Sequence, residues 1–407
     1  MKILHLISQM PDMTGSGKYL QAVVNCARQS GHENFLVAGV QDNFTLAPGL
    51  IDPDCSLYVN FNTPALNFPI PGMSDVMPYP SRVFATLSPL ELRSYEVAFK
   101  EKIAAAVHQF KPDLIHSHHL WQVSAFATEV APAIPMVVSC HGTCLRQLAL
   151  CPHLKEKPLE LSQKVSGILA LSRVQAQEII STYPAARGKT HVVGAGFDQH
   201  LFFPVAKPTP PPVEILYAGK LCRAKGVPWL LKSLKPLGSL PWRLHLAGSG
   251  SGEEQRTCKE LAAEFGDQVC LHGTLTHPEL ARLMGRTHLF VLPSFFEGLP
   301  LVLMEALASG CTIVTTALPG TCEVLSGITP GRVKFLNLPP LATVDTPHGS
   351  DLPRLEQALT RILARIIGDY LEQGVSDMPM NDRLTGEYTW EKVFEKIEAV
   401  YKKALKG

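Results

Sequence analysis

Short apolar runs alternate with segments of helical period from the first residues onward. KILHLIS (2–8), FLVAGV (35–40), DLIHSHH (113–119), MVVSCHG (136–142) and GILALS (167–172) read as strands, and GKYLQAVVNCARQSG (17–31) as a helix closed by Gly31. Strands alternating with helices bury a parallel sheet between helical layers. Ligands of such sheets gather beyond the carboxyl ends of the strands, where His118, His119, His141 and Ser172–Arg173 fall. The stretch 204–213, PVAKPTPPPV, holds five prolines in ten residues and favours an extended connector. The alternation then restarts with EILYAGK (214–220), RLHLAGS (243–249), QVCLHG (268–273), HLFVLPS (288–294) and CTIVTTA (311–317). The pattern predicts two successive doubly wound α/β domains meeting across a cleft, 1–203 and 214–380, joined by 204–213. The final segment, 381–407, contains an amphipathic helix in YTWEKVFEKIEAVYKKALKG whose apolar stripe needs a docking face. The region 41–95 is poorly periodic and yields no element assignment.

Composition narrows the functional classes. The chain has 407 residues, 46% hydrophobic and 18% charged, with a formal net charge of +1. That length suits two cores, and the near-neutral balance argues against a nucleic-acid partner. No apolar run reaches the ~18 residues of a membrane span. Pro11–Asp12 interrupts the first apolar stretch, so the amino terminus reads as a buried strand rather than a signal peptide. The ten cysteines lie mostly in apolar segments and read as reduced core thiols of a cytoplasmic protein. Cys140, Cys144 and Cys151 with His141 and His153, in SCHGTCLRQLALCPH, match no C-x2-C zinc spacing, and the expectation is no metal.

Two carboxylates stand in the apolar run FFEGLPLVLMEALASG (295–310), where they need partners or a ligand. After strand HLFVLPS, Glu297–Gly298 forms a loop and Pro300 sits near the first turn of a helix ending at Ser309–Gly310. Free N–H groups at that helix start suit an anion or sugar oxygen, whereas the plainer reading leaves Glu297 merely solvated. Glu305, later on the helix, reaches a different part of an extended ligand. In AGKLCRAKG, Lys220 and Lys225 follow a strand and suit a diphosphate, although a solvated lysine pair is the bland alternative. LAGSGSGEEQ lacks the Gly-Lys-Ser/Thr ending of a P-loop. TGSGKYL is only part of a dinucleotide fingerprint, because Leu20 takes the last glycine position.

Together these segments resemble the GT-B glycosyltransferases of family 4, retaining enzymes that use nucleotide sugars. Glu297 and Glu305 in FFEGLPLVLMEALASG, YAGKLCRAKGVPWLL, VCLHGTLTHPELARLM, the TGSG loop with SGHE after it, HSHH and SCHG occur in the family's order along nearly the whole chain. The resemblance implies two Rossmann-like domains facing a central cleft, with the carboxyl-terminal helix packing back toward the amino-terminal, acceptor-binding domain. It implies that Glu297 contacts donor sugar hydroxyls, with Gly298 and Leu299 offering amides, and that Glu305 binds the ribose diol. Lys220 and Lys225 hold the diphosphate, although the family often has arginine at the first position. Gly15, Ser16 and Gly17 form a loop near donor phosphate and acceptor, His141 lies by the transferred sugar, and Gly273–Thr274 borders the base. The family's acidic residue ahead of HLFVLPS is replaced by Thr287–His288, a change expected to affect local packing.

In the mechanism this implies, the leaving phosphate accepts the acceptor proton and no metal or cofactor is needed. Glu297 as a covalent nucleophile is the alternative. A UDP-sugar is the favoured donor by family frequency, with GDP second. The acceptor is a hydroxyl of a glycan, a lipid-linked or a small molecule, with His118, Trp121, Arg146 and His153 on its side and peripheral membrane contact compatible with it. Arg146 as a surface residue and Trp121 as core are the plain alternatives. A nicotinamide or flavin enzyme, a non-catalytic nucleotide-sugar-binding protein, and a sugar phosphorylase or sugar-phosphate synthase on the same framework are the competing functions.

Overall fold

The structure is a computed structural model and describes residues 1–42, 44–46, 49–75, 77–326, 331–375 and 386–406. The chain folds as two compact units, one of Met1–Gly196 with Trp390–Gly407 and one of Phe197–Thr389. The proline-rich stretch 204–213 thus lies inside the second unit, and the expected boundary at 380/381 falls outside the described residues.

The strands of the first unit are Lys2–Ile7 (β1), Glu33–Gln41 (β2), Ser56–Phe61 (β3), Pro71–Gly72 (β4), Arg82–Val83 (β5), Leu114–His118 (β6), Met136–Ser139 (β7), Gly167–Ala170 (β8) and Thr190–Val192 (β9). Seven of them form one parallel sheet in the order β3-β2-β1-β6-β7-β8-β9, while β4 and β5 pair separately. The order reverses at β1 and β6, the switch point at which ligands of open sheets bind. The second unit repeats the plan. Val213–Ala218 (β10), Trp242–Ala247 (β11), Val269–Gly273 (β12), Leu289–Leu292 (β13), Thr312–Thr316 (β14) and Val333–Leu336 (β15) run parallel as β12-β11-β10-β13-β14-β15. Its switch point is at β10 and β13.

Local chemistry sets the helices that cover these sheets. Helix Gly15–Gln29 starts at Thr14, whose hydroxyl accepts from the Gly17 N–H at 3.1 Å, and buries Tyr19, Leu20, Val23, Val24 and Ala27 on one face. Within the weakly periodic stretch and its continuation lie β3 and helix Pro89–Phe110. That helix opens with a capping box between Ser88 and Glu91 and buries Tyr95, Phe99, Ile103, Ala106 and Phe110. Helix Trp390–Ala404 buries Val393, Phe394, Ile397, Val400, Tyr401 and Ala404 against the first unit. Its Tyr401 hydroxyl lies 2.6 Å from His116 Nδ1.

That bond ends in a histidine cluster. His5 pairs in register with His116, and Ile7 with His118, so the three histidines lie on one face of β1 and β6. All are buried, and His5 Nε2 meets Asn34 Oδ1 at 2.9 Å. Burial pushes His5 down to about 4, with the Asn34 hydrogen bond opposing, and pushes His116 and His118 well below the ordinary imidazole range.

Two outcomes follow from this packing. Ile397→Ala should lower the unfolding free energy by about 2–5 kcal/mol, whereas Lys403→Ala on the exposed face should change it by less than about 0.5 kcal/mol. Equal effects in urea unfolding contradict the docking of this helix. Because the folded value of His5 lies below 6.5, its contribution is present above that pH and is lost as pH falls toward 4. Each such histidine steepens the loss by up to roughly 1.4 kcal/mol per pH unit. The stability slope between these values should be shallower in His5→Gln than in the parent, and identical slopes contradict the assignment.

Candidate active site

In the second unit, four loops beyond the strands' carboxyl ends are knitted by backbone bonds. Gly219 N–H donates to Ala247 O at 2.9 Å, Leu221 N–H to Ser249 O at 3.0 Å, Gly248 N–H to Gly273 O at 2.6 Å, and Phe295 N–H to Ala224 O at 2.9 Å. A Cβ at Gly248 would lie 1.9 Å from Gly219 O, and its φ is +132°, so glycine is required for this approach. Trp229 stacks on Phe295 with ring centroids 5.2 Å apart and anchors the β13 loop on the helix Val227–Leu234.

This lattice brings Lys225 and Glu297 together across the switch point. Lys225 Nζ lies 2.6 Å from Glu297 Oε1 and donates to Phe296 O at 3.2 Å, and Ser294 Oγ donates to Glu297 Oε1 at 2.7 Å. Both side chains are half-buried, at 23% and 13% exposure. Ser294 was not read from the sequence; its place three residues before Glu297 at the strand end is the signal that was there. Gly298 and Leu299 lead through Pro300 into helix Leu301–Ala308, and among the described residues their N–H groups meet no protein acceptor. Glu305 is buried on that helix, with His277 Nε2 3.7 Å from its Oε1. Lys220 is half-buried in the β10 loop, and its carbonyl accepts from the Tyr217 hydroxyl at 2.6 Å. Gly273 and Thr274 are exposed at the end of β12, where Thr274 Oγ1 donates to Ser249 Oγ at 3.1 Å. Thr287 and His288 are buried; His288 Nδ1 accepts from the Glu214 N–H and its Nε2 faces Pro208 O, both at 2.8 Å. The departure from the family's acidic residue is taken up by packing and hydrogen bonds within this unit.

In the first unit, Gly15, Ser16 and Gly17 open the first helix. Gln9 Nε2 donates to Thr14 Oγ1 at 2.9 Å and to Ser16 Oγ at 2.8 Å, and its Oε1 accepts from the Met73 N–H at 3.3 Å. A Cβ at Gly17 would sit 2.8 Å from the Pro11 carbonyl, whereas Gly15 faces open space. His141 precedes helix Gly142–Leu150, is 8% exposed, and is pushed down to about 4 by burial. Tyr19 meets its ring edge-on at 5.2 Å, and His118 stacks on it at 6.1 Å. His119 holds φ at 112°, a strained value for its size, and is tied by its N–H to Ser139 O and by its carbonyl to the Trp121 N–H.

The remaining candidates separate. Trp121 is 1% exposed and packs edge-on against Phe84, as a core residue does. Arg146 is not a surface residue: it is buried and paired by both guanidinium nitrogens with Asp75, at 3.2 and 2.5 Å. His153 is exposed in the turn Pro152–Leu154. None of the ten cysteines forms a disulfide. Among the described residues, the one group of three metal-competent side chains that converges is His5, His116 and His118, not the cysteine-rich segment.

Comparison with known proteins agrees with this arrangement. A family model described as Glycosyltransferase Family 4 matches residues 13–201, and one described as Glycosyl transferases group 1 matches residues 212–338. The chain is 28% identical over 288 residues to D-inositol 3-phosphate glycosyltransferase of Arthrobacter sp. (strain FB24), covering 64% of this chain and 68% of the relative. It is 26% identical over 310 residues to glycogen synthase of Mycobacterium tuberculosis, covering 73% and 70%. In fold it is similar to sucrose-phosphate synthase from Thermosynechococcus elongatus, with a TM-score of 0.68 at 19% identity over 99% of each chain. It is also similar to Anabaena HepE solved with UDP-glucose, with a TM-score of 0.67 at 17% identity over 99% of each chain. Among the described residues no helix is long and apolar enough to cross a membrane. With residues 13–201 and 212–338 matched by the two transferase models, and both units folded as Rossmann-like parallel-sheet domains, the chain belongs to glycosyltransferase family 4 and is a GT-B glycosyltransferase.

Proposed function

We propose that the protein transfers a sugar from a UDP-sugar to a hydroxyl of a glycan, lipid-linked or small-molecule acceptor, with retention of configuration and without a metal ion. The observation that carries this reading is the Lys225–Glu297 pair of 2.6 Å beside the open N–H groups of Gly298 and Leu299. A departing diphosphate gathers negative charge, and an ammonium group with helix-terminal N–H groups stabilises it. Lys220, on the same loop as Lys225, adds a second cation. As phosphate engages Lys225, Glu297 is released toward the sugar hydroxyls, held in place by Ser294 Oγ. Glu305, deeper on the helix, takes the ribose diol, and Gly273–Thr274 lies toward the base. UDP is favoured because HepE and a pneumococcal O-GlcNAc transferase of similar fold were solved with it.

In the first unit the neutral ring of His141 orients donor hydroxyls, and the backbone of Gly15, Ser16 and Gly17 approaches the donor phosphate and acceptor. The Arg146–Asp75 pair and His118 lie on the acceptor side, with Trp121 as packing behind them and His153 at an exposed turn. An anionic acceptor must compete with Asp75 for the guanidinium. The leaving phosphate accepts the acceptor proton, so Glu297 acts as an orienting group rather than a nucleophile. A cytoplasmic enzyme, in peripheral contact with a membrane when its acceptor is lipid-linked, is the setting that fits.

Calorimetric titration in chelator with UDP, GDP and ADP should show one preferred nucleotide, UDP; binding of none of them removes the central assignment. Lys225→Ala should weaken UDP far more than uridine, by about 2–5 kcal/mol for loss of a paired charge. Equal weakening of both ligands indicates a structural role instead. NMR of the first product formed from an α-linked donor should show an α linkage, and a β linkage overturns the retaining mechanism.

A further inference from the structure

The histidine cluster on β1 and β6 is more than a core of aromatic rings. We propose that His5, His116 and His118 form a binding site for a borderline divalent transition-metal ion, zinc in the first instance, inside the first unit. Each offers one ring nitrogen, and these atoms lie within 4.8 Å of one another. Two of the rings carry the lone pairs the site requires. Both nitrogens of His118 are buried without a hydrogen-bond partner, and so is His5 Nδ1. His118 is 1% exposed and His5 is fully buried, so water does not satisfy them. Buried nitrogens left in this state are costly, and a metal ion is a partner that satisfies several at once.

Around two of the three rings, His5 and His116, the surroundings have the form of a metal site's outer shell. A ligating histidine usually directs its other nitrogen to a fixed polar group, which sets tautomer and orientation. His5 Nε2 meets Asn34 Oδ1 at 2.9 Å, which leaves Nδ1 as the free lone pair. His116 has Tyr401 OH at 2.6 Å from Nδ1 and Ser139 Oγ at 2.8 Å from Nε2. It keeps one of these bonds and surrenders the other on coordination. Zinc holds nitrogen at about 2.0–2.1 Å, so the rings must close inward by side-chain rotation.

Three neutral imidazoles leave the ion's full charge in a buried setting, which is unfavourable without compensation. A fourth ligand from solvent, hydroxide or chloride, completes a tetrahedron and reduces that charge. His118 is the last residue of β6, and its ring stacks at 6.1 Å on the buried His141, so a ligand from solvent reaches the cluster only past buried side chains. The site uses no thiol. The segment with Cys140, Cys144 and Cys151 is therefore the control rather than the ligand set.

The test uses the untagged full chain, stripped with chelator and titrated with cobalt(II), then with zinc(II) as competitor. One cobalt per chain is expected, with the visible absorption of a tetrahedral site, displaced by zinc. His118→Gln and His5→Gln should each lower the affinity at least tenfold, and Cys144→Ala should leave it unchanged. X-ray absorption at the zinc edge of the parent protein tests the ligand set even where a variant fails to fold: the expected shell is nitrogen and oxygen with imidazole scattering. Absence of stoichiometric binding at micromolar metal overturns the proposal, as does a sulfur shell near 2.3 Å or loss of binding in Cys144→Ala.

Discussion

A carboxylate at the end of a buried parallel strand is stable only if something cationic faces it, and in the second unit that partner is Lys225. The 2.6 Å contact with Glu297 needs two loops from non-adjacent stretches of sequence to meet within hydrogen-bonding distance. The Phe295–Ala224 backbone bond, the Trp229–Phe295 stack and the Gly219–Gly248 approach enforce that meeting. The pair is thus a consequence of a rigid scaffold, and it is poised rather than saturated. A half-exposed ammonium can exchange its carboxylate for a phosphate, whereas a fully buried pair would resist doing so.

The first unit has a different character. Its switch point is lined by neutral histidines instead of an ion pair, with His141 and His118 stacked and Tyr19 set edge-on to both. Neutral rings both donate and accept, which suits hydroxyl-rich ligands better than anions. The buried guanidinium of the first unit, Arg146, is neutralised by Asp75 of the same unit. The strained backbone of His119, held from both sides, shows that this strand end is over-determined by its surroundings.

Much of this was legible in the sequence because periodicity and strand-end chemistry are local. Ten runs of strand pattern became ten strands, with ends shifted by one to three residues where the chain enters or leaves the ladder. The pairing of Lys225 with Glu297 could be anticipated only as co-location in a ligand site, since nothing local says that two loops so far apart in sequence will touch. The stretch 41–95 resisted reading because β3 is half-exposed, and β4 and β5 are two residues each, too short to carry a period. Helix Pro89–Phe110 had a readable start in Ser88 and Glu91, but its small hydrophobic asymmetry hid the rest. The burial of Arg146 depended on Asp75, far away in sequence and on a loop without pattern. The convergence of His5 with His116 and His118 is a matter of register, which appears only once β1 and β6 are known to be neighbours.

The central claim is that Lys225 and Glu297 divide one donor between them, the first taking phosphate and the second sugar. Diffraction from crystals grown with an intact nucleotide sugar and chelator tests it most directly. The account expects the distal phosphate against Lys225 Nζ and the N–H groups of Gly298 and Leu299, with Glu297 turned from Lys225 to the sugar hydroxyls. A bound donor whose diphosphate avoids Lys225, with the lysine–glutamate contact left intact, contradicts it.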